Sequence, residues 1–361
     1  MVMKDTFWRT TIWTITIALL IGAGAGILAT SYTSSYLEDY ALELSKLTAP
    51  LRLTQTQPKQ FPSSLEDAIR RFELNNLPSI VNIYPSELNR AYGYTSEDRL
   101  ATGLILTTDG WILVSQQPNV RFDHTAVSIG DRLYKVEQVV EDNATSVSFL
   151  KISADGLAIG GFGSGLDTGL AEQVFVSQQS GSVQLHAVLS VTGSQGISVS
   201  SDYLSETVVL SNLSSEPGFV FSLNGDLLGA ISIVDKQPVV VPSDAFLPQF
   251  RALLEKGSIE RPLLGLDTVS LGTTVGMRPE GKRSKNQGAL VADKKSILLN
   301  GPADKAGIKE LDIILSYNGQ PITEEQTLAR FVSKSKPKDV VVLIVDRASK
   351  EVEVRVTLGE M

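Results

Sequence analysis

The chain has 361 residues, room for two domains plus extras at roughly 150 residues per domain. It contains no cysteine and only two histidines, His124 and His186, so disulfides, thiolate metal sites, a cysteine nucleophile and multi-histidine zinc sites are all excluded. The net charge of −8 argues against a nucleic-acid partner, which calls for a basic face.

Residues 10–37 carry no charged side chain. That is longer than the roughly 20 residues a helix needs to cross a bilayer. Trp8 and Trp13 stand near one end and Tyr32 and Tyr36 near the other, where interfacial aromatics belong. Lys4 and Arg9 precede the span and Glu38, Asp39 and Glu43 follow it, so the positive-inside rule puts the N-terminus in the cytoplasm. The expectation is a cytoplasmic tail over 1–9 and a single transmembrane helix over 10–32 of the plasma (inner) membrane, with the bulk of the chain outside the cytoplasm. A cleaved signal peptide is the competing reading, since small residues fill 22–29. The length and aromatic start favour the anchor.

Residues 33–75 read as a stalk or linker, polar and rich in Gln, Thr and Pro around 54–60. Within it, Ser64 opens a short helical pattern at capping-box spacing from Asp67. The next unit spans 76–257, and over about 79–242 its signals are β: short apolar runs at 103–106, 111–114, 147–150, 173–176, 207–210 and 227–231, separated by turn residues. Asp109-Gly110 and Asn224-Gly225 are hairpin dipeptides between such runs. No helices separate the strands, so the pattern predicts a barrel or sandwich rather than a parallel doubly wound sheet. A helix capped by Ser243, with Phe246, Phe250, Leu253 and Leu254 on one face, closes this unit at Gly257. The last unit, 258–361, mixes strands at 289–291, 340–345 and 352–356 with two short helices. One starts at Pro302 and one after Thr323, where Thr323 and Gln326 have capping-box spacing.

The order of these pieces resembles the HtrA/Deg family: an anchor, a trypsin-like double β-barrel, then a PDZ domain. The segments 102–113, 149–152, 223–229, 241–243 and 261–266 carry the resemblance in the barrel region and the junction that follows it. Gly301–Ile308 and Leu311–Gly319 carry it in the PDZ region and are its most specific part. The fold class it implies is mainly β, with an α+β PDZ unit at the C-terminus. The family's chemistry needs a serine nucleophile, a histidine to take its proton and an aspartate to orient that histidine. This chain has Gln117 at the histidine position, Ser146 at the aspartate position and Glu216 at the serine position. An amide is no general base, and a carboxylate there repels a developing oxyanion. Ser214 and Pro217 replace two glycines of the oxyanion turn, and proline brings no N–H. The resemblance with these losses predicts a pseudoprotease: not an enzyme, with no catalytic residues, no metal and no cofactor. The alternative is an active serine endopeptidase of envelope quality control with a rearranged site, using Ser214 or Ser215 with His124 or His186.

PDZ domains add a peptide's C-terminal strand to a sheet edge and hold its carboxylate on backbone N–H groups. The resemblance places that loop at Leu263, Leu264, Gly265 and Leu266, and the apolar pocket at Leu266, Leu328 and Phe331. A competing reading has Leu264 and Leu266 packing the core beneath a closed groove. The partners implied are C-terminal or unfolded peptide segments, the membrane through the N-terminal helix, and a homo- or hetero-oligomer, a trimer by family resemblance. The function expected is a membrane-anchored, proteolytically inactive scaffold or regulator.

Overall fold

A computed structural model describes residues 62–87, 93–117, 119–193, 198–234, 236–274 and 286–361. The expected tail, the transmembrane helix over 10–32 and the stalk up to residue 61 lie outside the described residues. Among the described residues no helix is long and apolar enough to cross a membrane.

Helix α1 (Leu65–Asn75) starts where the Ser64 hydroxyl accepts from the Asp67 N–H, as the spacing predicts. Its Phe72 is buried against Phe175 and Phe221, with ring centroids 4.7 and 5.2 Å away. The end of the expected stalk is therefore part of the folded body.

Six strands then form a closed barrel: β1 (Ile80–Pro85), β2 (Ala101–Ile105), β3 (Trp111–Ser115), β4 (Thr125–Ile129), β5 (Arg132–Asp142) and β6 (Val147–Ile152), in the order β1-β2-β3-β6-β5-β4. Ile83, Ile112, Val127, Leu150 and Ile152 fill its interior, each fully buried. The hairpin between β2 and β3 turns at Gly110, whose φ of +102° suits glycine and little else.

The second sheet contains β7 (Gly161–Phe162), β8 (Gln173–Gln178), β9 (Val183–Thr192), β11 (Thr207–Leu210), β12 (Gly218–Ser222), β13 (Asp226–Val234) and β14 (Gln237–Pro242). Strand β12 pairs with both β8 and β13, so this sheet also closes on itself. Its core holds Val174, Val176, Val220 and Ile231. The Asn224-Gly225 hairpin is present, with Gly225 at φ +82° and its carbonyl accepting from the Asn76 side chain. One short strand of this stretch, β10 (Val199–Ser200), leaves the sheet and pairs elsewhere.

Helix α2 (Ser243–Lys256) ends at Gly257, in the left-handed region, as predicted. Its start differs by one residue: Pro242 is the N-cap. The Ser243 hydroxyl instead donates to the Gly163 carbonyl and accepts from the Gly165 N–H, so it ties the helix to the second barrel rather than capping it.

The C-terminal unit is built on β16 (Asp267–Ser270), β17 (Ala289–Leu290), β18 (Ile313–Tyr317), β20 (Val340–Arg347) and β21 (Lys350–Thr357), with β19 (Gln320–Pro321) paired to β18. A separate pair joins β15 (Pro262–Leu263) to β22 (Gly359–Glu360). Helix α3 (Pro302–Lys305) starts where expected, and α4 (Leu328–Ser333) starts later than expected. The Thr323 hydroxyl does accept from the Gln326 N–H, but that turn does not continue as a helix; Thr327 caps α4 through the Arg330 N–H.

Candidate functional site: the inter-barrel cleft and the PDZ groove

Gln117 lies two residues beyond β3, and its side-chain N–H donates to the Gln179 side-chain oxygen at 2.8 Å. Gln179 belongs to the tight turn joining β8 to β9. Its side-chain N–H donates to the Leu100 carbonyl at 2.9 Å, and its backbone N–H donates to the Pro217 carbonyl at 2.9 Å. One glutamine thus bonds both barrels across their junction. The next residue, Ser180, donates its N–H to the Glu216 carboxylate at 3.1 Å. Gln117 and Glu216 therefore meet two consecutive residues of one turn.

Ser146 joins this region through its backbone. It sits at φ +54° between β5 and β6, and its carbonyl accepts from the Gln116 N–H at 2.9 Å and the Ser232 hydroxyl at 3.2 Å. Ser232 is fully buried in the second barrel, so this contact also crosses between barrels. Among the described residues no hydrogen bond links the side chains of Gln117, Ser146 and Glu216 to one another.

The groups at hand are an amide, a carboxylate and a proline carbonyl. Gln117 offers an amide, which neither takes nor gives a proton near neutrality. Glu216 holds a carboxylate on a backbone donor. Pro217 supplies a carbonyl, which the Gln179 N–H meets, and no N–H. The Ser214 hydroxyl accepts from the Gln178 side chain at 2.8 Å, and Ser215 is exposed. His186 is buried and bonds through Nδ1 to the Ser211 carbonyl, while its Nε2 has no partner. His124 is an exposed side chain beside Asp123. Among the described residues neither histidine hydrogen-bonds a serine hydroxyl.

The second candidate region is the loop Leu263–Leu266. Gly265 takes φ +80°, and a Cβ there would lie 3.0 Å from Leu298. This conformation turns successive N–H groups outward, as carboxylate capture requires. A carboxylate already meets them. Asp202 Oδ1 accepts from the N–H groups of Leu264 at 2.7 Å and Gly265 at 3.1 Å, and Oδ2 accepts from Gly265 at 3.1 Å. The Leu266 N–H donates to the Ser201 hydroxyl at 3.2 Å, and the Ser201 N–H donates to the Leu266 carbonyl at 2.7 Å. Burial pushes the Asp202 carboxyl above its ordinary value, and nearby Asp267 adds to this. The donors on Leu264, Gly265 and Ser201 pull the other way.

Leu264, Leu266, Leu328 and Phe331 all belong to the buried core of this unit, while Leu263 is half-buried in β15. Phe331 stacks on Tyr317 with centroids 5.5 Å apart. Leu328 also lines a cavity of about 1010 Å³ between α4, β16 and the second barrel, shared with Val199, Ser200, Thr268 and Arg330. Arg330 is buried and donates to Glu206, which also accepts from the Thr327 hydroxyl at 2.9 Å. Sequence reasoning missed Gln179, Asp202 and the Glu206–Arg330 pair. Each acts on residues far away in the chain, and none stands in a local motif.

Comparison with known proteins fits this arrangement. A family model described as a PDZ domain matches residues 262–358. The chain is 29% identical over 293 residues to a protein of Halomonas elongata named probable periplasmic serine endoprotease DegP-like, covering 75% of this chain and 58% of that protein. It is 24% identical over 300 residues to a protein of the same name from Hahella chejuensis, covering 80% and 63%. The chain thus spans about three-fifths of the length of these relatives. A solved structure described as an HtrA-type protease, AlgW, with tripeptide superposes with a TM-score of 0.59 at 17% identity, covering 82% of this chain and 97% of that one. That likeness carries the fold: a double barrel followed by a PDZ domain.

Proposed function

We propose that the chain is an HtrA/DegP-like protein, a trypsin-fold double barrel with a C-terminal PDZ domain, and that it is a proteolytically inactive member that works by binding peptides. The observation that carries this reading is the pair of contacts on the β8–β9 turn. The residues aligned with the base and the nucleophile are an amide and a carboxylate, and both are engaged by Gln179 and Ser180. Among the described residues no histidine hydrogen-bonds a serine hydroxyl there.

In this reading the barrels serve as a scaffold or regulator, and the PDZ groove takes C-terminal or unfolded segments of other proteins. The relatives' names place them in the periplasm. With residues 10–32 as a single-pass anchor, the body of this chain works on the outer face of the inner membrane, as a homo- or hetero-oligomer by family resemblance. Quality control in the envelope is the process this fits. The second reading, an active endopeptidase with a rearranged site, draws on the same names. It requires a base for Ser214 or Ser215, and the partner of Ser214 is the Gln178 amide.

Peptide capture is testable from the ligand side, which leaves the fold untouched. In a C-terminal peptide library on the purified full-length chain, hits are expected to lose roughly tenfold or more in affinity on C-terminal amidation. Amidation removes a charge-assisted acceptor worth about 1.5–3 kcal/mol. Equal binding of acid and amide forms would contradict carboxylate capture at Leu264–Leu266.

A further inference from the structure

The carboxylate loop of the PDZ unit is filled by the chain's own backbone and side chain. We propose that Val199–Asp202 is a built-in occupant of the peptide groove, with the Asp202 side-chain carboxylate standing where a ligand's C-terminal carboxylate binds, so that an external C-terminus must displace it. This rests on the peptide-binding reading above and adds its regulation.

Three observations carry it. First, β10 pairs antiparallel with β16, Val199 opposite Thr268 and Ser200 opposite Asp267. This is strand addition to a sheet edge, the mode by which a PDZ domain takes a peptide. Second, the strand leads into the loop as a ligand's end does. The Ser201 N–H bonds the Leu266 carbonyl, and the next residue places its carboxylate on the N–H groups of Leu264 and Gly265. Ser201 is 1% exposed, so the occupant is seated rather than resting on the surface. Third, the same segment continues to Glu206, whose carboxylate holds Thr327 and Arg330 at the start of α4. The segment therefore touches the strand side and the helix side of the groove.

The occupant is built to be exchangeable. Its strand is only two residues long, and burial makes the ionised Asp202 costly to hold. Tethering compensates: a segment of the same chain acts at an effective concentration on the order of millimolar. Weak contacts then keep the groove filled against dilute peptides. The ligand that displaces it is a free C-terminus, whose α-carboxylate ends the chain and whose strand can extend along β16 past Thr268 into the adjoining cavity.

The test compares the full-length chain with Asp202→Ala and with Asp202→Asn, which keeps the side chain's size. The probes are a free-acid C-terminal peptide library and amide hydrogen exchange at Leu264 and Gly265. If the occupant competes, Asp202→Ala binds library hits at least about tenfold more tightly than the parent chain, since apparent affinity falls with the fraction of open groove. Asp202→Asn falls between them. The Leu264 and Gly265 amides, protected in the parent chain without peptide, exchange faster in Asp202→Ala. Equal peptide affinity in parent and variants overturns the proposal and leaves the groove reading intact. If no chain binds peptide, the groove reading fails and the proposal with it, and faster exchange in Asp202→Ala then shows only that Asp202 seals the loop.

Discussion

Asp142→Ala is expected to lower the unfolding free energy by about 3–5 kcal/mol. Asp142 ends β5 of the first barrel, and Arg261 opens the PDZ unit. The guanidinium donates to both carboxylate oxygens, at 2.7 and 2.5 Å. The two side chains are 3% and 12% exposed, so little water screens the pair. The Thr145 hydroxyl donates to the same carboxylate at 2.7 Å. Removing the acid leaves a largely covered guanidinium with its charge uncompensated, and that penalty, rather than the worth of the pair, sets the size of the effect. A double replacement, Asp142→Leu with Arg261→Met, should recover much of the loss. Urea unfolding followed by circular dichroism measures both. A loss below about 1 kcal/mol for Asp142→Ala would mean that the pair is solvated and does not tie the barrel to the PDZ unit.

Phe250→Ala carries the second large effect, again about 3–5 kcal/mol, from lost burial and the cavity left behind. Phe250 lies on α2, after the last strand of the second barrel, and is fully buried. Its ring stacks on Phe149 of β6 at 5.0 Å and meets Trp111 of β3 edge-on at 6.1 Å. The helix that closes the second barrel therefore buries its apolar face on the first. Because Phe250 joins the two, its loss should loosen the junction as well as lower stability. Amide exchange at the buried strand residues Ile112 and Leu150 is expected to rise along with the loss in urea. Full stability in Phe250→Ala would show that the barrels hold together without this contact.

Strands β2, β3 and β6 of the first barrel were legible in the sequence because their signals are local. Apolar runs and the Asp109-Gly110 turn mark β2 and β3 directly, and glycine is the residue that a φ of +102° needs. Helix ends were legible to within a few residues and failed for a physical reason. Ser243 and Thr323 have capping side chains, yet tertiary demand redirects the first to Gly163, and the turn at the second stops before α4. At the cleft, Gln117 and Glu216 were singled out through resemblance. Their shared partner turn was not, because Gln179 sits 62 residues from Gln117 and 79 from Leu100. Asp202 was the least legible. It lies in a serine-rich polar stretch, its strand is two residues long, and its donors are 62 and 63 residues away. Pairing at that distance leaves no periodic trace.

Proteolytic inactivity is tested by active-site labelling of the purified full-length chain with a fluorophosphonate probe, run beside a casein digest. Proteolytic inactivity predicts no covalent adduct and no cleavage, because neither histidine hydrogen-bonds a serine hydroxyl among the described residues. Labelling that Ser214→Ala or Ser215→Ala abolishes would contradict it and establish an active serine endopeptidase.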